Sequence, residues 1–172
     1  MSLAPDQRSR VIEVAKQWLR TPYHHRAMVK GAGADCAMFP LAVYKECGHV
    51  PQEFEPPEYS MQWHLHHTEE KYLETIAPLC REISGPPEPA DFVVFRFGRA
   101  FSHGAIVIKW PLVIHSYIPH GVQYGDALHD GELIGREMKF FEVMAKEPGS
   151  TQPVISQYGT AFHATGWNPG EL

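Results

Sequence analysis

The run Gly85-Pro86-Pro87-Glu88-Pro89 divides the chain into two unlike halves. Proline lacks a backbone donor and biases the residue before it away from the helical region, so neither a helix nor a central strand crosses such a stretch. Before it, apolar residues recur at helical spacing. After it, β-branched and aromatic residues crowd into short runs bounded by turn residues. Helices first and strands afterwards is an α+β order. With 172 residues, 44% of them hydrophobic, the chain has the length and the material for one core.

Within residues 9–19, Val11, Ile12, Ala15, Trp18 and Leu19 fall on one helical face, and Thr21-Pro22 closes the helix. A second helix is predicted over 35–46, burying Met38, Leu41, Ala42 and Val43, with Pro40 in its first turns and Gly48 as its C-terminal cap. Residues 49–59 read as a proline-rich acidic loop, and 68–79 as a third helix with Tyr72, Leu73, Ile76 and Leu79 inward. Beyond the break, 91–97, 103–108, 112–118 and 121–124 read as strands of an antiparallel meander, and 140–144 offers a further strand. The expectation is N-terminal helices packed on an antiparallel sheet of about five or six strands. Residues 1–147 form one domain in this reading, and 148–172 form a C-terminal extension anchored or docked through Val154, Ile155, Tyr158, Phe162 and Trp167.

The chemistry concentrates at three positions. Asp35-Cys36 closes the glycine-rich stretch Lys30-Gly31-Ala32-Gly33-Ala34 and opens the second helix, which puts a thiol where unpaired N–H groups and the helix dipole favour thiolate. Downstream, Ser102-His103-Gly104-Ala105-Ile106-Val107-Ile108 and Leu112-Val113-Ile114-His115 read as strands joined by a turn at Lys109-Trp110-Pro111. If the turn centres on Trp110, His103 faces Tyr117 and His115 falls two residues away on the same face. One imidazole then takes the thiol proton while the second orients the first. A slip of one residue would turn His115 away.

Other classes are disfavoured. A formal net charge of −5 gives no basic footprint for nucleic acid and no attraction to anionic membranes. No apolar run reaches the length of a membrane span, and the N-terminus lacks the pattern of a secretion signal, so the protein is expected to be cytoplasmic as synthesised. Cys47 and Cys80 are read as free thiols, since nothing favours an oxidising compartment. Trp63-His64-Leu65-His66-His67 has metal-ligand spacings but no acidic or thiol partner placed with it. It reads as a rim of the substrate cleft, with His24 and His25 on the same rim, and neither a metal nor a cofactor is expected.

Together these residues resemble the NlpC/P60 cysteine peptidases of bacteria and their phages over roughly residues 8–125. Ala15-Lys16-Gln17-Trp18-Leu19-Arg20-Thr21-Pro22-Tyr23 resembles the family's opening helix and Thr-Pro-Tyr turn, and Asp35-Cys36 resembles its nucleophile pair. His103 and His115 resemble its base and third residue at the usual separation. The resemblance implies a papain-like core in residues 1–147, with Cys36 as nucleophile, His103 as general base and His115 as orienter. It further implies that Tyr23 lines the site, that Asp35 helps hold a substrate amine, and that the D-γ-glutamyl to diamino acid bond of peptidoglycan stem peptides is cut. Ala37-Met38 stands where the family commonly has Ser-Gly. The missing hydroxyl predicts weak selection for a free N-terminal L-Ala, and it keeps open a related thiol amidase or acyltransferase. A non-catalytic phage tail component is the remaining alternative. The expected setting is a phage-encoded enzyme, folded in the host cytoplasm and assembled with tail proteins, with cytoplasmic recycling as the competing role.

Overall fold

The computed structural model describes residues 1–61, 69–129 and 131–145. Helix α1, Pro5–Gln17, begins four residues earlier than its apolar periodicity suggests, because Pro5 takes a first-turn position where its missing N–H costs nothing. Its Val11, Val14 and Ala15 are buried, and Trp18 just beyond it meets Phe39 of α2, Met38–Glu46, edge to face at 6.1 Å. Gly48 stops α2 as expected, at φ 77° with its N–H donating to the Lys45 carbonyl.

Helix α3 is shorter than its predicted span, running only over Lys71–Ile76. Pro78 has no N–H to continue it, and the chain turns into strand β3, Cys80–Ile83, which the sequence reading did not assign to any element. Before α2, the glycine-rich stretch forms a small hairpin of β1, Met28–Val29, and β2, Gly33–Ala34, with Gly31 at φ 78° in its turn.

The main sheet contains β3 with β4 (Phe92–Phe97), β5 (Ala100–Lys109), β6 (Leu112–Tyr117), β7 (Gly121–Asp126) and β8 (Met138–Val143). Its spatial order is β3-β8-β4-β5-β6-β7, antiparallel throughout. Strands β4 to β7 form the expected meander. Strand β8 returns to the free edge of β4 and carries β3 outside it, giving six strands.

The sheet is buried on both faces. Phe92, Val94, Ile106 and Ile114 face a core shared with α1 and α2. Their alternating neighbours Val93, Phe95, Ala105, Val107 and Val113 join Ala127 and Leu133 in a second cluster. This explains the near-continuous apolar runs of β4 and β5. The β5–β6 register pairs Ile106 with Ile114 and Val107 with Val113, which centres the hairpin on Trp110. The irregularity falls at the tip, where Lys109 rather than Ile108 pairs with Leu112.

Candidate active site

Three separate connections bring the N-terminal segment onto the sheet. Arg20 N–H donates to the Val122 carbonyl and Val122 N–H to the Thr21 carbonyl, which lays the exit of α1 along β7 and brings Tyr23 to the site. Ser116 Oγ donates to the Ala34 carbonyl at 2.7 Å, fixing β2 against β6. Asp35 then starts α2. Its Oδ1 accepts from Ala37 N at 3.0 Å and Met38 N at 2.8 Å, satisfying two otherwise unpaired donors and holding Cys36 at the helix entrance.

Asp35 is buried and heavily used. Its second oxygen accepts from Arg26 N and from the Tyr59 hydroxyl, each at 2.7 Å, with His25 Nδ1 3.6 Å away. Cys36 is half-buried, with Sγ 3.6 Å from the Ser102 carbonyl. Burial, reinforced by the Asp35 charge, pushes the thiol up to about 12, against the opposing pull of the Gly104 and Cys36 N–H groups. This corrects the expectation drawn from the helix entrance alone: in the resting protein the proton stays on sulfur. Burial raises Cys47 to about 11 and Cys80 to about 12, and all three cysteines are free thiols.

His103 is buried among Phe95, Phe97 and Tyr117, and its Nε2 lies 2.8 Å from His115 Nδ1. The hairpin therefore brings the two imidazoles into hydrogen-bond contact. Burial lowers His115 to about 4, only partly offset by Glu132, so the ring is neutral at neutral pH. On the face of β5 opposite His103, Gly104 leaves room for Tyr72 and Phe92; a Cβ there would collide with the Tyr72 hydroxyl and the Phe92 ring.

Cys36 and His103 open into one cavity of about 300 Å³, which Tyr23, Asp35 and Ser102 also line. Away from the thiol the walls turn apolar, through Leu41, Tyr44, Val50, Ile76, Leu79 and Val143. The sequence reading missed Tyr59, whose hydroxyl holds Asp35, and Tyr72, whose hydroxyl reaches the Cys36 carbonyl at 3.4 Å. Tyr59 lies in a loop with no period to reveal its direction, and the helical spacing turned Tyr72 inward without showing that it would meet Cys36, 36 residues earlier in the chain. Burial, with the nearby Asp35 charge, raises the phenols of Tyr23, Tyr59 and Tyr72, so all three remain protonated donors. His24 packs on Gly33, and His25 stands beside Tyr59. The cluster at His64, His66 and His67 lies outside the described residues, as does the extension 148–172. Among the described residues no group of three or more His, Cys, Asp or Glu is placed to hold a metal, and no helix is long and apolar enough to cross a membrane.

No family model matches the sequence, and no curated protein matches it either. Solved structures match the fold. The NlpC/p60 domain of the peptidoglycan hydrolase SagA superposes with a TM-score of 0.55 at 16% identity, over 80% of this chain and 98% of that one. NlpC2 from Trichomonas vaginalis gives 0.60 at 12% identity, over 84% and 49%, and NlpC1 from the same organism 0.57 at 14%, over 86% and 47%. The chain thus spans about half the length of the two Trichomonas chains. It has the NlpC/P60 fold, an α+β core of the papain-like kind.

Proposed function

We propose that this protein is a thiol hydrolase that opens a peptide-type amide bond through an acyl-enzyme, with Cys36 as nucleophile, His103 as base and His115 as its orienter. One observation carries the reading: Cys36 and His103 line a single cavity, and the His103 ring is held from behind by His115 at 2.8 Å. His103 takes the proton from Sγ as sulfur attacks the carbonyl carbon. The S–C bond forms and the carbonyl electrons move to oxygen. Collapse breaks the C–N bond, and the leaving amine receives the proton from His103. Water, deprotonated by His103, then releases the acyl group as a carboxylic acid and restores the thiol. With a thiol raised to about 12, the base must move the proton during attack rather than before it.

The substrate class proposed is the peptidoglycan stem peptide at its D-γ-glutamyl to diamino acid bond. The NlpC/P60 fold and the negative end of the cavity support it. Tyr59, donating to Asp35, keeps lone pairs for a substrate amine, so Asp35 acts through Tyr59 as well as by its own field. A net charge of −5 provides no attraction to anionic wall polymers, and a phage tail is the proposed carrier. A second reading, removal or transfer of an apolar acyl group, is favoured by the apolar arm of the cavity.

Mass spectrometry of purified muropeptides after incubation decides between them. The expected outcome is cleavage after D-γ-glutamate, with free and glycan-linked stems cut at comparable rates because Ala37 offers no hydroxyl. His103→Ala should lose roughly 10²- to 10⁴-fold in kcat, while His115→Ala retains measurable turnover and His115→Asn retains more. Intact muropeptides alongside hydrolysed long-chain acyl esters would replace the first reading with the second.

A further inference from the structure

Within β6, the buried ring of His115 presents its two nitrogens to different surroundings. Nδ1 meets His103 Nε2. Among the described residues Nε2 has no hydrogen-bond partner, and Glu132 Oε1 stands 3.5 Å from it. Glu132 belongs to the 3₁₀ turn Gly131–Leu133, pinned by the buried Leu133, and its Oε1 accepts from Gln123 Nε2 of β7 at 3.0 Å. Gly125 allows this approach: a Cβ there would lie 2.9 Å from His115 Nε2 and 3.1 Å from Leu133 Cδ1. The result is a small polar chamber behind the imidazole pair, on the side away from the thiol cavity.

We infer that Glu132 is a positioning residue for the thiol chemistry, holding His115 as the Nε2–H tautomer and stabilising the positive charge that forms on the imidazole pair. The inference rests on the thiol hydrolase reading above. A neutral His115 carries one ring proton. On Nε2, facing Glu132, that proton leaves Nδ1 to accept from His103 Nε2–H, so His103 Nδ1 keeps the lone pair a base needs. On Nδ1 it would donate to His103 Nε2, place the His103 proton on Nδ1, and abolish the base. A carboxylate at Nε2 selects the first arrangement. At 3.5 Å the pair is at ion-pair rather than hydrogen-bond distance, suited to tightening when the imidazoles become positive.

Among the described residues, neighbouring charges do not duplicate this role. Asp126 lines the chamber, but its carboxylate accepts from Leu128 N, His129 N and the His129 ring in its own loop. His120 adds a titratable group of the opposite kind, and Tyr124 completes the wall; on the other side the His115 ring packs against His103 and Tyr117.

Glu132→Gln keeps the shape and removes the charge. The expected result is a kcat reduced roughly 10- to 100-fold with KM little changed, and partial recovery in Glu132→Asp. Nitrogen-15 NMR of the imidazoles reads the same coupling without turnover. Wild-type His115 should show protonated Nε2 and bare Nδ1, and Glu132→Gln should raise the other tautomer about tenfold. A wild-type ring protonated on Nδ1, a tautomer balance unmoved by Glu132→Gln, or an unchanged kcat would each overturn the assignment. If the NMR result holds and the wild-type protein opens no amide bond, the hydrolase reading fails while the Glu132–His115 coupling stands.

Discussion

At the scale of single residues, the site is built by neighbours that cancel expected effects. A helix entrance lowers the pKa of a thiol in isolation, but here Asp35 takes the entrance donors for itself and adds its charge beside the sulfur. Burial and Asp35 win. Alkylation of Cys36 by iodoacetamide, followed by peptide mass spectrometry, should therefore accelerate nearly tenfold per pH unit from pH 7 to 9, because the thiolate fraction grows that way below a pKa of about 12. A rate plateau near neutral pH would instead reveal a resting thiolate–imidazolium pair and reverse the sign argued here.

At the scale of elements, β5 carries the arrangement. It places His103 toward His115, and Gly104 clears space for Tyr72, whose hydroxyl reaches the Cys36 carbonyl and whose ring stacks on Phe92 at 6.2 Å. Gly104→Ala should cost about 1–3 kcal/mol by overpacking this junction, read as a drop in urea-unfolding free energy. Tyr72→Phe removes one of the colliding atoms, so the double variant should recover part of the loss. A Gly104→Ala protein as stable as wild type, within about 0.5 kcal/mol, would show that α3 moves aside freely.

For the whole molecule, burying a polar pair between sheet and turn makes stability depend on acid. In the unfolded chain His115 takes a proton near the ordinary imidazole value of 6.5, whereas in the folded protein it does so only near 4. Acid therefore favours unfolding: the contribution is fully present above 6.5 and is lost as pH falls through about 4. His49, lowered by burial, adds in the same direction. Between pH 7 and 4.5 the wild-type protein should lose roughly 2–3 kcal/mol more unfolding free energy than His115→Asn does. Equal slopes in the two proteins would place the titrating group elsewhere.

The chain's linear pattern determined much of this. Proline at 86, 87 and 89 separates helices from strands, apolar runs mark β4 to β7, and a turn centred on Trp110 fixes which face His115 takes, because strand side chains alternate strictly. Local rules suffice there, since each partner lies a short hairpin away. The edge strand β3 and the end of α3 were lost to a periodicity that four residues cannot resolve, and the turn at Glu132 carries no pattern at all. Only the tertiary structure decided the second apolar layer under the sheet, the grip of Tyr59 on Asp35, the nearness of Glu132 to His115, and the upward shift of the Cys36 thiol. Each depends on desolvation or on charges far apart in sequence, and those quantities exist only once the chain has closed around them.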